Sequence, residues 1–326
     1  MSTETQLRIV EERGAALEAE HAVSAVLCDA TGRIIHSVGP EIEATWRSAS
    51  KPFQLEASLS FLPDAFVDAL SERDLALGAA SHSGEPQHVA GVRSLLDRMA
   101  CSAEGLRCGA HWPVHEPSGR TLASHGERAT ALHNNCSGKH AYMLGATRSS
   151  GLAPDYRPVA HPLQQRVVER VRHHTGGRVS SETVIDGCGV PCFVLPLSAM
   201  AQAWASIATC MARHDGVLSR IGWAMCHEPW FMSGTDRLDL MLVHGATEPI
   251  VAKVGAMGIQ CVAFPERGLG LALKLRTGSS DARPLAVEAV MDRWLPGLLR
   301  PDTLRRFRDV VNVVGDVVGQ RRGLWS

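Results

Sequence analysis

Both ends of this chain read as strand and its middle reads as helix, an order that narrows the available folds more than any other feature. Near the N-terminus, residues 21–28 form an apolar run, Ala30-Thr31-Gly32 a turn, and residues 33–38 a second strand closed by Gly39-Pro40. Near the C-terminus, 249–254, 260–264 and 269–275 are short apolar runs separated by Gly or Pro. A helix over 284–299 and a last strand over 310–318 follow them. Between the ends, helical periods cover about 50–62, 85–99, 136–146, 162–174, 197–212 and 216–224. Ser71-Glu72-Arg73-Asp74 resembles a capping box with Asp as its acid. Residues 102–135, rich in Gly, His, Pro and Ser, read as one long ordered loop. The expectation is an α/β layer architecture, one compact unit with its sheet from about 1–48 and 248–320 and its helical part from about 49–247.

Composition removes several function classes. The net charge of −1 leaves no basic excess to hold phosphates, which excludes a nucleic-acid partner. Arg305, Arg306, Arg308, Arg321 and Arg322 are scattered and read as solvated. Residues 1–14 carry Glu4, Glu11 and Glu12 without a long apolar run, so no signal peptide is expected. No apolar stretch reaches the ~20 residues of a membrane span. The nine cysteines are odd in number and form no Cys-x-x-Cys pair, which points to a reduced, cytoplasmic setting.

Chemistry concentrates at Ser48 and Lys51, three residues apart where a helix begins, with Pro52 suited to the first turn. Spacing i, i+3 puts hydroxyl and ammonium on one helix face. A serine becomes a nucleophile when a neighbouring base takes its proton, and lysine serves once it loses its charge. A plain serine cap with a solvated lysine fits the same spacing. Ala80-Ser81-His82-Ser83-Gly84-Glu85 sets hydroxyls and an imidazole before a helix, where Ser83 reads as an N-cap or the segment supplies a second nucleophile or an oxyanion-binding turn. Asn135-Cys136-Ser137-Gly138-Lys139-His140 and Asp186-Gly187-Cys188-Gly189-Val190-Pro191 bring two thiols and an amine from separate loops. These side chains read as zinc ligands or as buried, inert groups. In Ser233-Gly234-Thr235-Asp236-Arg237, Arg237 either clamps a carboxylate or pairs with Asp236 or Asp239. Lys274 shares a strand face with Gly270 and Ala272, as a desolvated inner lysine or as an edge-strand charge.

These motifs, together with Lys253-Val254-Gly255-Ala256 and Gly268-Leu269-Gly270-Leu271-Ala272-Leu273-Lys274, resemble in order those of the asparaginase II family, the Rhizobium-type L-asparaginases. The resemblance implies a fold like serine β-lactamases, with a mainly antiparallel sheet and a helical subdomain. It implies a small-molecule amide substrate, L-asparagine, hydrolysed to L-aspartate and ammonia. Its catalytic set would be two Ser-Lys pairs, Ser48/Lys51 and Ser81/Lys274. Substrate contacts would come from Arg47, His82, Ser83, Asn135, Asp186, Gly187, Thr235, Arg237, Gly255 and Ala256. Zinc would sit on Cys136, Lys139 and Cys188, and the assembly would be a homodimer. Met257 and Arg276-Thr277-Gly278 depart from the acidic residues many relatives carry there. A related serine amidase or β-lactamase-like hydrolase is the alternative, although no Ser-Asp-Asn or Lys-Thr-Gly follows. A non-catalytic amino-acid-binding homologue is the third reading.

Overall fold

The computed structural model describes residues 6–180 and 183–326; residues 1–5 of the expected sheet segment and residues 181–182 of the expected helical part lie outside them. Strands run as Leu7–Arg13 (β1), Ala16–Asp29 (β2), Ile34–Val38 (β3), Glu43–Thr45 (β4), Thr183–Ile185 (β5), Pro191–Pro196 (β6), Val251–Val254 (β7), Ile259–Phe264 (β8), Leu269–Leu275 (β9), Asp309–Val311 (β10) and Val317–Trp325 (β11). The helices are Lys51–Leu59 (α1), Asp64–Asp68 (α2), Glu72–Gly78 (α3), Pro86–Arg98 (α4), Glu116–Ser124 (α5), Ser137–Ser149 (α6), Pro162–His174 (α7), Leu197–Arg213 (α8), Gly216–His227 (α9), Pro229–Ser233 (α10), Leu238–Gly245 (α11) and Arg283–Trp294 (α12). Two compact units result. A sheet unit takes residues up to Ala49, 195–209 and 241–326; a helical unit takes 50–194 and 210–240.

In the sheet unit, the order is β10-β11-β1-β2-β9-β8-β7, with β3 also paired to β2. All of these pairs are antiparallel, so the expected sheet built from both ends of the chain is present. β11 pairs β1 with Trp325 opposite Leu7. β9 lies between β2 and β8, with Lys274 opposite both Ser24 and Ile259, so Lys274 is no edge charge. α12 packs against β11, β1 and β9. At Gly270 the backbone of α8 comes so close that a Cβ would stand 2.2 Å from Ala201 O and Ala205 N, which only glycine permits.

In the helical unit, α1 is buried along its whole length and packs on α6, α7 and α9. Its Glu56 accepts from the Nε2 of His174 on α7 at 2.9 Å. α3 opens on the expected capping box, Ser71 Oγ accepting from Asp74 N and Asp74 Oδ2 from Ser71 N.

Three expectations need correction. β1 falls in the expected sheet segment 1–48 but was not named as a strand, because Glu11, Glu12 and Arg13 interrupt its apolar pattern. Residues 102–135 are not one loop: they contain α5 and short 3-10 turns at Ala103–Gly105 and Ala131–His133. The strand expected over 310–318 is broken by a turn in which Asn312 Oδ1 accepts from Val314 N and Asp316 N. Among the described residues no helix is long and apolar enough to cross a membrane.

Candidate active site

Lys51 stands at the first position of α1, followed by Pro52, which fills a first-turn site where its missing N–H costs little. The side chain is 1% exposed. Its Nζ donates to Ala80 O and, at 2.9 Å, to Ser81 Oγ, with a long contact to Asn135 O at 3.4 Å. Ser81 is 4% exposed, and its N–H is fixed to Met232 O at 3.0 Å. The structure thus pairs Lys51 with Ser81 and not with Ser48, the partner expected from spacing. Ser48, half-buried in the 3-10 turn Arg47–Ser50, makes no side-chain hydrogen bond among the described residues. The turn opens on Arg47 at φ +53°, a left-handed conformation costly to a residue with a Cβ.

The rest of the 81–85 loop is locked. His82 is fully buried; its Nδ1 accepts from Gly84 N and its Nε2 lies 2.8 Å from Ser137 Oγ. Burial, reinforced by His88 and Lys51, drives its pKa well below the usual imidazole value, so the ring is neutral. Behind it His88 and Trp230 stack with centroid spacings of 5.1 and 4.2 Å. Ser83 does not cap α4, which begins after Glu85; its Oγ donates to Ser233 O at 2.8 Å. The polar side-chain atoms of His82 and Ser83 are therefore committed to the protein.

Cys136 precedes α6, Lys139 lies one turn in, and Cys188 sits in the tight turn between β5 and β6 closed by Gly189 N to Asp186 O. All three are buried, and Lys139 Nζ is 3.1 Å from Cys188 Sγ. A hydrogen bond from Cys188 lowers the pKa of Cys136 well below the usual thiol value despite burial; Lys51 and Lys139 add attraction. Cys188, as the donor in that bond and itself buried, is raised. Burial alone would lower Lys139, but the Cys188 and Cys136 sulfurs and Asp186 outweigh it, and its pKa rises. Two soft sulfurs and an amine converging in a buried site fit zinc in donor chemistry. Among the described residues, however, no group of three or more His, Cys, Asp or Glu side chains could hold a metal. Cys136 Sγ also lies 3.2 Å from the Asn135 side-chain amide. Asn134, which sequence reasoning passed over, anchors this loop: it donates to Cys108 O and Gly109 O and accepts from Cys136 N.

Asp186 and Gly187 occupy the turn beside Cys188, with Gly187 N bonded to Asp186 Oδ1. Thr235 is gripped by Glu85, whose two oxygens accept from Thr235 N and Oγ1 at 2.8 Å each. No role for Glu85 was evident from the sequence; only its place in the quoted motif marked it. Arg237 is half-buried and makes no hydrogen bond or ion pair among the described residues, so of its two readings the pairing with Asp236 or Asp239 does not form. In the sheet unit, Gly255 N bonds Ile259 O, and Gly255 O accepts from Arg283. Ala256 leads into Met257 at φ +58°. Lys274 Nζ donates to Met257 O and to Leu275 O. Burial, then Arg276, lowers its pKa.

A profile of the family described as L-asparaginase II matches residues 9–322. No curated protein sequence matches the chain. Among solved structures, a β-lactamase from Mycobacterium bovis shares 14% identity over 83% of this chain and 94% of its own, with a TM-score of 0.44. Mglu in its native form shares 18% identity over 86% of this chain, which spans 61% of Mglu, with a TM-score of 0.45. Simvastatin synthase from Aspergillus terreus shares 13% identity over 81% of this chain and 88% of its own, at 0.42. Likenesses this loose carry no functional argument. The family profile, in contrast, runs nearly end to end: the chain belongs to the L-asparaginase II family.

Proposed function

We propose that this protein is an L-asparaginase, hydrolysing the side-chain amide of L-asparagine to L-aspartate and ammonia. Family membership supports amide hydrolysis. The observation that carries the mechanism is the buried Lys51–Ser81 contact of 2.9 Å. The carbonyls of Ala80 and Asn135 take two N–H directions of Lys51, leaving the third toward Ser81 Oγ. In the neutral amine a lone pair points there and accepts the serine proton. The serine oxygen attacks the amide carbon, the C–N bond breaks, and ammonia leaves with the proton returned by Lys51. Water then hydrolyses the ester. Arg237, free of protein partners among the described residues, suits the substrate carboxylate; Asp186 suits its ammonium. Acylation of Ser48 is the second reading, favoured by its unengaged hydroxyl and the strained Arg47 before it. Lys274 enters through the family resemblance and its lowered pKa.

Cys136, Lys139 and Cys188 would hold zinc, which would order the loops around 135–139 and 186–190. A homodimer is the proposed assembly, checked by light scattering.

Ammonia release from a panel of amides tests the reading, with mass spectrometry of quenched enzyme locating the acyl group. An adduct on Ser81, abolished in Ser81→Ala, supports it; an adduct on Ser48 transfers the nucleophile's role there. Activity on amides other than asparagine alone would reassign the substrate, a point made pertinent by Met257 and Arg276.

A further inference from the structure

We propose that Glu85 is a positioning residue that sets the carboxylate-binding turn 233–237 against the loop carrying Ser81. This deepens, and rests on, the asparaginase reading. Three rungs join the two segments: Ser81 N to Met232 O at 3.0 Å, Ser83 Oγ to Ser233 O at 2.8 Å, and Glu85 to Thr235 through both carboxylate oxygens. Trp230 Nε1 donates to the same Thr235 hydroxyl at 3.0 Å. The approach is so close that a Cβ on Gly234, at φ +107°, would lie 2.4 Å from Ser83 Oγ.

The first two rungs are neutral, which is enough for a structural tie. The third uses a carboxylate only 7% exposed, facing two neutral donors and the ring of His115 at 3.8 Å. Burying a charge there costs more than burying an amide. Two residues beyond Thr235 stands Arg237, which has no hydrogen-bond or ion-pair partner among the described residues. The bidentate grip fixes both backbone and side chain of Thr235, and through it the point from which Arg237 reaches for a substrate carboxylate.

The test compares L-asparagine with 3-aminopropanamide, the same amide lacking the α-carboxylate. Glu85→Ala is expected to raise KM for asparagine about tenfold with kcat within about threefold, and to leave kcat/KM for 3-aminopropanamide unchanged. Glu85→Gln, which can accept from Thr235 N and donate to Thr235 Oγ1, is expected to restore most of the affinity. Equal losses on both substrates, or a fall in kcat at constant KM, overturn the proposal. If Glu85→Ala does not fold, Glu85→Asp, one methylene too short to hold both Thr235 N and Oγ1, carries the same comparison, with KM for asparagine rising about threefold. If the wild type releases no ammonia from asparagine, the asparaginase reading falls, and calorimetric binding of L-aspartate decides for Glu85. Binding weakened about tenfold by Glu85→Ala supports the proposal; equal affinity overturns it, and no binding to the wild type overturns both.

Discussion

At the scale of single residues, Lys51 shows what motif spacing does and does not convey. The i, i+3 rule concerns neighbouring side-chain bases on a helix. The amine of lysine sits at the end of a four-carbon stem, where distant acceptors decide its partner. Here those are Ala80 O, Ser81 Oγ and Asn135 O, from two other loops. The sequence therefore exposed the lysine and both serines but not their pairing. Lys51→Ala and Ser81→Ala are each expected to lower kcat about 10³-fold in the ammonia assay, and the double variant to be no worse, because the two act as one unit. Lys274 gives a prediction of opposite character. Burial lowers its pKa, so its charge destabilises the fold below the folded value, and that penalty disappears as pH rises toward the ordinary value near 10.5. In this range the unfolded chain binds more protons, so stability rises with pH. Relative to Lys274→Met, the wild type should gain denaturant midpoint as pH rises toward about 10.5; a constant difference would contradict the assignment.

At the scale of elements, the legible ones announced themselves by a single period or a punctuating residue. α7 begins at Pro162, and Gly176 and Gly177 follow its end in the left-handed conformation that stops a helix. β1 was hidden by its run of charges, of which Glu11 and Glu12 become acceptable because Arg321 and Arg322 on β11 pair with them. α5 was hidden by composition, since Pro117 and Gly119 punctuate it and none of its residues is buried. In the site, Glu85 was visible but mute, because its role depends on Thr235 150 residues away. Helix contacts also show where volume is forbidden. A Cβ on Gly138 of α6 would fall 2.1 Å from Leu77 O at the end of α3. Gly138→Ala is therefore expected to destabilise by about 1–3 kcal/mol, read as a lowered Tm.

At the scale of the whole molecule, buried imidazoles set acid tolerance. Burial pushes His82 and His88 below the ordinary value, so the folded chain keeps them neutral. As pH falls through about 6.5, the unfolded chain takes up protons first, and stability declines toward the lower folded values. Denaturant midpoints should drop between about pH 7 and 5; a flat profile would contradict this. The sheet imposes a second condition: a chain ending at residue 316 lacks β11 and bares β1, and is expected to aggregate on expression. The same pairing of Leu7 with Trp325 bears on biosynthesis. At about 5–20 residues per second, the hairpin of β1 and β2 leaves the ribosome roughly 15–60 s before its outer partner exists. For that interval a sticky β-edge hangs in a crowded cell, so a nascent-chain chaperone would find its strongest client surface at the first strands to emerge.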